Sequence, residues 1–460
     1  MPPVAVRRAA AAGAAVLALA LPAAASGATW SAPQTLSHAH TFVDEPRLAF
    51  SRDGTALAGW AWMDGLGNDG LQGYSAASRS RAPGAGFGPG RTIAPGRRFA
   101  DRPATIAGPL TYGTHGALLA TSRPTADPSG TVARLAVRFG GAGGRFGRAR
   151  EVRTAPYLQR PRLAVNGRGT AALAWSEDTG GLADQIYVAL RPRHRNFRAP
   201  VLLGEGDVES LAVAVGPRGG VLVAWEGGGV IRARFKLWSQ PWQRVNRIRS
   251  LHPAFHADLQ PVVTATGRAV LAWSAQFADE GGDVGPIFFQ AATRPAHGDH
   301  FRHAQTLDVL DFDQSRTEID HVRGADGRSA VAWTGFDGAH RRVRVSVTDS
   351  GGRFMIPQEV SPERTDAVLW DLAAGPGGRL LAVWTEGEDQ RSRVRAALAP
   401  ATLLPFGPAE DVSPFAGAAS GGGAFDPRTG VPTVVWSSRP PVSTAGGAVE
   451  SFAQAASREG

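Results

Sequence analysis

Six acidic residues stand just ahead of six short apolar runs: Asp44, Asp101, Asp207, Asp258, Glu318 and Asp366. Carboxylates gathered from separate segments coordinate a divalent cation such as Ca²⁺, accept from the hydroxyls of a saccharide, or split the acid and base work of glycosidic cleavage between two of their number. Each also serves a humbler purpose when it accepts backbone N–H bonds within its own turn, as Asp commonly does. The choice between these roles turns on whether the chain brings the six segments together.

The segments recur with a period. A glycine stands six residues before a tryptophan in Gly54–Trp60, Gly169–Trp175, Gly219–Trp225, Gly267–Trp273, Gly327–Trp333, Gly378–Trp384 and Gly430–Trp436, with mostly small and aliphatic residues between. A short apolar run precedes each glycine, as in PRLAFSRDG (46–54) and PRLAVNGRG (161–169), so the pair reads as two strands joined by a tight glycine turn. A variable polar loop and an alternating run follow, as in QIYVALR (185–191) and VIRARF (230–235). A fourth run is headed by an aromatic, as in FRHAQTL (301–307). Four antiparallel strands in about 50 residues is the size of one propeller blade.

Counting sets the architecture. The second-strand phrase occurs eight times once Gly116–Ser122 is included, with serine in place of tryptophan, and the blade number falls to seven without it. The fourth-strand aromatic occurs at Trp30, Phe87, Phe146, Phe197, Trp242, Phe301, Phe354 and Phe406. The chain thus opens on a fourth strand (29–37) and ends on a third (448–457). An open row would leave sheet edges unpaired and would want capping repeats at both ends. The reading is therefore an all-β, eight-bladed β-propeller over residues 29–460, its N-terminal strand closing the last blade. Tryptophans on second strands fill the wedges between blades, and first strands line a central channel. The six acids then ring the channel mouth.

The stretch TDSGGRFMIPQEVSP (348–362) resembles the Asp-box turn of the sialidase-like propellers, Ser/Thr-x-Asp-x-Gly-x-x-Trp/Phe. Asp349, Gly351 and Phe354 match, and Val347 stands at the Ser/Thr position. The resemblance implies the propeller architecture over nearly the whole chain. It does not carry the chemistry across. Sialidases use an arginine cluster, a tyrosine nucleophile with a glutamate partner, and an aspartate. Here the only tyrosines are Tyr74, Tyr112, Tyr157 and Tyr187, and the Arg-Ile-Pro phrase is reduced to Met355-Ile356-Pro357. An acidic mouth also repels an anionic sialoside.

The remaining features bound the setting. Arg7 and Arg8, the apolar run Ala9–Leu21 and small residues to Ala28 read as a secretory signal peptide over residues 1–28, giving an exported protein of the cell envelope or exterior. Twin-arginine and general export both remain open. There is no cysteine, so no disulfide supports the fold. The formal charge is +9, with one lysine, Lys236, among many arginines. Turn arginines such as Arg168, Arg191 and Arg268 gather on the face opposite the acids, either as solvated turns or as a surface for an anionic polymer. No sequence-specific nucleic-acid contact is expected. His297, Asp299, His300 and His303 cluster on a surface turn. No phosphate-binding loop, nucleophile elbow or zinc helix is present. The expected protein is a monomeric, non-catalytic recognition scaffold for a carbohydrate, a cation or an envelope partner; the alternative is a glycoside hydrolase or lyase using paired mouth carboxylates.

Overall fold

The computed structural model describes residues 29–460 except 41, 64–74, 95–104, 114–115, 125–131, 142–144, 182, 194, 249–254, 279–283, 311–318, 324–326, 388–390, 401–404, 415–416, 440–450 and 460. The strands fall into seven four-stranded antiparallel sheets and one of five strands. A single short 3₁₀ turn, Pro376–Gly378, is the one helical element among the described residues. This is an all-β chain whose repeated sheets fit a β-propeller.

Each sheet is a run of consecutive strands, as in Leu158–Val165, Ala171–Glu177, Asp184–Arg191 and Val201–Gly206. The glycine before each second strand has positive φ, between 72° and 86° at Gly54, Gly169, Gly219, Gly267, Gly327, Gly378 and Gly430. Only glycine adopts that conformation without strain, and so the phrase begins on it. Second strands such as Val221–Gly227 are buried along their whole length, because both of their faces meet neighbouring sheets. Third strands such as Val230–Lys236 alternate between buried and partly exposed positions.

The core lies between sheets. Trp175, Trp225, Trp273, Trp333, Trp384 and Trp436 are fully buried. Trp225 packs with Ile186 and Val188 of the sheet before it, and Trp273 with Phe235 of its own predecessor. A Cβ on Gly204 would come within 2.9 Å of the Trp225 ring, so the small residue admits the large one. First strands pack beside first strands through the series, and Ala418–Phe425 of the last sheet packs against Phe42–Phe50 of the first.

The two chain ends share a sheet. Thr29–Trp30 and Gln34–Thr35 both pair with Phe452–Glu459, with Trp30 opposite Arg458 and Gln34 opposite Ala455. The expected single strand over 29–37 is thus two short ones, interrupted at Pro33. Gln34 then reaches the next sheet, bonding both the N–H and the C=O of Phe87 at 3.1 Å. Gln305 holds Phe354 in the same two-point manner, and Gln358 accepts from the Phe406 N–H.

Two expectations need correction. Aromatics that head fourth runs precede the main strand of the run instead of belonging to it, as Phe354 stands before Gln358–Glu359 and Phe301 before Gln305–Leu310, while Trp30 forms a short strand of its own. First strands begin earlier than the apolar runs, at Phe42, Leu158 and Phe255, because bulges break the alternation within them. Asp44 and Asp258 therefore lie inside strands and not in the loops before them.

Candidate functional site

The register of the first strands, bulged in five of the seven sheets below, sets the site. Opposite the residue that precedes each tryptophan, the first strands place Arg47, Arg162, Ala212, Gln260, Asp320, Asp371 and Gly422. These side chains share one level of the space between the first strands. Arg162 Nε donates to Leu211 O on the neighbouring first strand at 3.1 Å. Asp320 accepts from the Leu372 N–H at 2.7 Å, and Asp371 from the Gly423 N–H at 2.5 Å, each again one sheet along.

The charges also sense one another across more than one sheet. Burial pushes Asp371 well above the usual carboxyl range, reinforced by the Asp320 charge and a hydrogen bond with Asp320, and opposed by the Gly423 N–H and by Arg47. Asp258 is open to solvent, yet protein fills most of the volume around it, and this desolvation raises it. Arg162 acts against that rise and Asp320 adds to it. Arg47, Arg162, Asp258, Asp320 and Asp371 come from five different sheets, so these electrostatic couplings place them around one space.

Strain and close approach mark the same region. Among the described residues the non-glycine residues with positive φ are Tyr157, Arg160 and Asp258, all in or beside first strands, and such strain of about 1–3 kcal/mol each gathers where function requires a fixed geometry. Trp370 occupies the bulge between Leu369 and Asp371. Its ring lies against Gly421, where a Cβ would come within 2.6 Å of it, and a Cβ on Gly422 would come within 3.0 Å of Asp371 Oδ2. Gly421 and Gly422 thus make room for the indole and the carboxyl of the neighbouring sheet, and Gly423 for Leu381 and Val383.

The six acids read from the sequence have different surroundings. Asp258 belongs to the cluster above. Asp44 pairs with Ala61 in the first sheet, and its side chain lies outside the described set. Asp101 and Glu318 lie outside the described residues. Asp207 is exposed, and its charge helps to raise Asp184, whose shift comes first from burial. Asp366 accepts from the Arg341 N–H at 2.8 Å, with His340 Nδ1 at 3.6 Å. Among the described residues no group of three or more His, Cys, Asp or Glu is placed to hold a metal ion.

Other acids serve the fold. Glu177 accepts from Trp175 Nε1 at 2.8 Å and takes both arms of the Arg153 guanidinium. Asp308 joins Trp333 Nε1 to Arg344, each at 2.7 Å. Glu410 joins Trp30 Nε1 to Arg458. The turn at Asp349 is closed by its own carboxylate, which accepts from the Arg353 N–H at 2.9 Å. Asp320, Asp371 and Trp370 escaped the sequence reading because they sit inside apolar strands; the one available signal was the glycine triplet in a neighbouring strand.

Comparison with known proteins gives likeness of shape at low identity. No protein-family model matches the chain, and no curated protein matches it in sequence. A protein of unknown function from Dyadobacter fermentans aligns with TM-score 0.42 and 12% identity, over 94% of this chain and 98% of that one. An ulvan lyase, described as a new family of polysaccharide lyase, aligns with TM-score 0.37 and 9% identity, over 73% and 89%. A sialidase of Streptococcus pneumoniae aligns with TM-score 0.39 and 11% identity, over 91% and 68%. Among the described residues no helix is long and apolar enough to cross a membrane.

Proposed function

We propose that the chain is an exported, monomeric, closed eight-bladed propeller that binds a polyhydroxylated ligand, a carbohydrate, at its axial channel without turning it over. The observation that carries this reading is the convergence of Arg47, Arg162, Asp258, Asp320 and Asp371 from five sheets, with the Trp370 ring beside them. Guanidinium donors, carboxylate acceptors, a carboxyl that donates and an aromatic face are the groups that sugar hydroxyls and ring C–H surfaces need. A cation such as Ca²⁺ remains the competing ligand, with Asp44, Asp101, Asp207, Glu318 and Asp366 as the candidate acids for it.

One observation favours a glycosidase or lyase: burial and the neighbouring Asp320 carboxyl push Asp371 well above the ordinary carboxyl range. The geometry argues the other way. Asp320 and Asp371 bond directly to each other and to backbone N–H groups of the next strand. Glycosidase carboxyls stand about 5–9 Å apart, with the scissile bond between them.

Calorimetric titration with neutral oligosaccharides, alongside a panel of chromogenic glycosides, separates the readings. The expected result is binding that weakens at least tenfold, about 1.4 kcal/mol, in Arg162→Ala and in Trp370→Ala, with no turnover. Turnover abolished by Asp371→Asn establishes the enzyme instead, and an absence of sugar binding with strong Ca²⁺ binding establishes the cation reading.

A further inference from the structure

A second chemistry gathers on the outer side of the second and third sheets, away from the first strands. A cavity of about 300 Å³ lies there, lined by Phe139, Arg150 and Glu151 of the second sheet and by Phe197 and Arg198 ahead of the fourth strand of the third. Two guanidiniums lie over the Phe139 ring, Arg191 at 4.8 Å and Arg150 at 5.2 Å from its centroid. Arg191 is fixed by the carbonyls of Gly169 and Arg195, both at 2.8 Å. Arg150 and Arg198 are exposed, and Arg150 is steered by the Asn196 side-chain oxygen.

The cations here crowd one another without relief. Arg191 loses proton affinity first through burial and then through the Arg150 charge. Lys236 of the fourth sheet does so through burial and then the Arg198 charge. Among the described residues no carboxylate forms an ion pair with Arg150, Arg191 or Arg198, and the lining acid Glu151 is taken by Arg134 at 3.0 Å. Like charges held together at a concave surface lower their energy by capturing an anion, and a guanidinium presents a planar fork that matches an oxyanion.

We propose that this cavity is an oxyanion site that takes a single ring-sized group carrying a sulfate, phosphate or carboxylate. Arg150 and Arg198 face the anion, and Arg191 supplies fixed positive potential behind Phe139. The volume suits one sugar-sized ring, and Phe197 offers that ring an apolar wall. The site is independent of the axial one, since it uses none of the same residues.

The test titrates the full chain at low salt with glucose 6-sulfate, glucose 6-phosphate and glucuronate, and with glucose as the neutral control. At least one anion binds, its affinity falls as salt rises, and the arm that binds tightest identifies the anionic group. Arg150→Ala/Arg198→Ala, both exposed and so compatible with folding, weakens that binding at least tenfold, about 1.4 kcal/mol, and leaves thermal unfolding unchanged. The proposal is overturned if no anion binds at about 10 mM, an affinity below about 3 kcal/mol, or if the double variant binds as the parent does. It is equally overturned if glucose competes equally with the anions.

Discussion

Asp371 combines two duties that pull against each other. Its Oδ2 fixes the Gly423 N–H of the next sheet, while burial and the Asp320 charge hold its proton on. The raised value makes the folded state bind a proton that the unfolded chain releases near the ordinary carboxyl value. The contribution of this group is complete below that ordinary value and declines as pH rises through the folded one. Asp371→Asn keeps an acceptor for Gly423 and a donor for Asp320 and removes the titration. Unfolding midpoints from pH 4 to pH 8 are expected to fall less steeply with pH in the variant than in the parent, and an unchanged slope would show that Asp371 is not the group responsible. Asp337 works in the opposite sense. Burial acts to raise it, but the N–H groups of His340 and Ala339 and the buried Arg342 outweigh this and hold it at about 2. Its contribution is present above the ordinary carboxyl value and is lost as pH falls through about 2. At this scale the sequence was only partly legible. Asp258 could be read because it stands before an apolar run, whereas Asp320 and Asp371 are single acids inside such runs. The placing of Asp371 depends on the bulge at Trp370, which no local pattern announces.

Each strand was legible where one physical rule governs it. The glycine six residues before tryptophan needs positive φ, and the buried second strand needs apolar residues on both faces. First strands were misjudged at their starts because the bulges at Asp44/Arg47, Gln159/Arg162 and Ala257/Gln260 shift the register. A further signal lies four residues after the aromatic in Trp30…Gln34, Phe301…Gln305 and Phe354…Gln358. The glutamine amide replaces a strand-pairing partner for the next sheet's aromatic residue, and so it ties sheet to sheet outside the hydrophobic core. Gln34 makes this tie between the sheet that holds both termini and the first sheet. Gln34→Ala leaves the Phe87 N–H and C=O without that partner and is expected to cost about 1–3 kcal/mol, read as a lower midpoint in denaturant at unchanged m-value. A loss no larger than a few tenths would mean that the tie contributes nothing to joining these sheets.

The molecule as a whole follows from the phase of its repeat. A chain that opens on a fourth strand and ends on a third supplies complementary parts of one sheet, and Trp30 opposite Arg458 completes it. The repeated four-stranded sheets were therefore the most legible level, because they depend on counting, while the ligand was the least legible, because it depends on which side chains meet between sheets. The first and last glycine turns also meet, where Arg428 donates to Asp53 O at 3.2 Å across 375 residues of chain, as the proposed closed ring requires. The cysteine-free chain allows nitroxide labels at Asp53→Cys and Arg428→Cys alone, and their separation by electron paramagnetic resonance tests the closed ring most directly. The account predicts strong dipolar broadening from labels in near contact. A separation approaching the length of an open row of eight sheets, about 70 Å at about 10 Å per sheet, would contradict the ring, and with it the axial site.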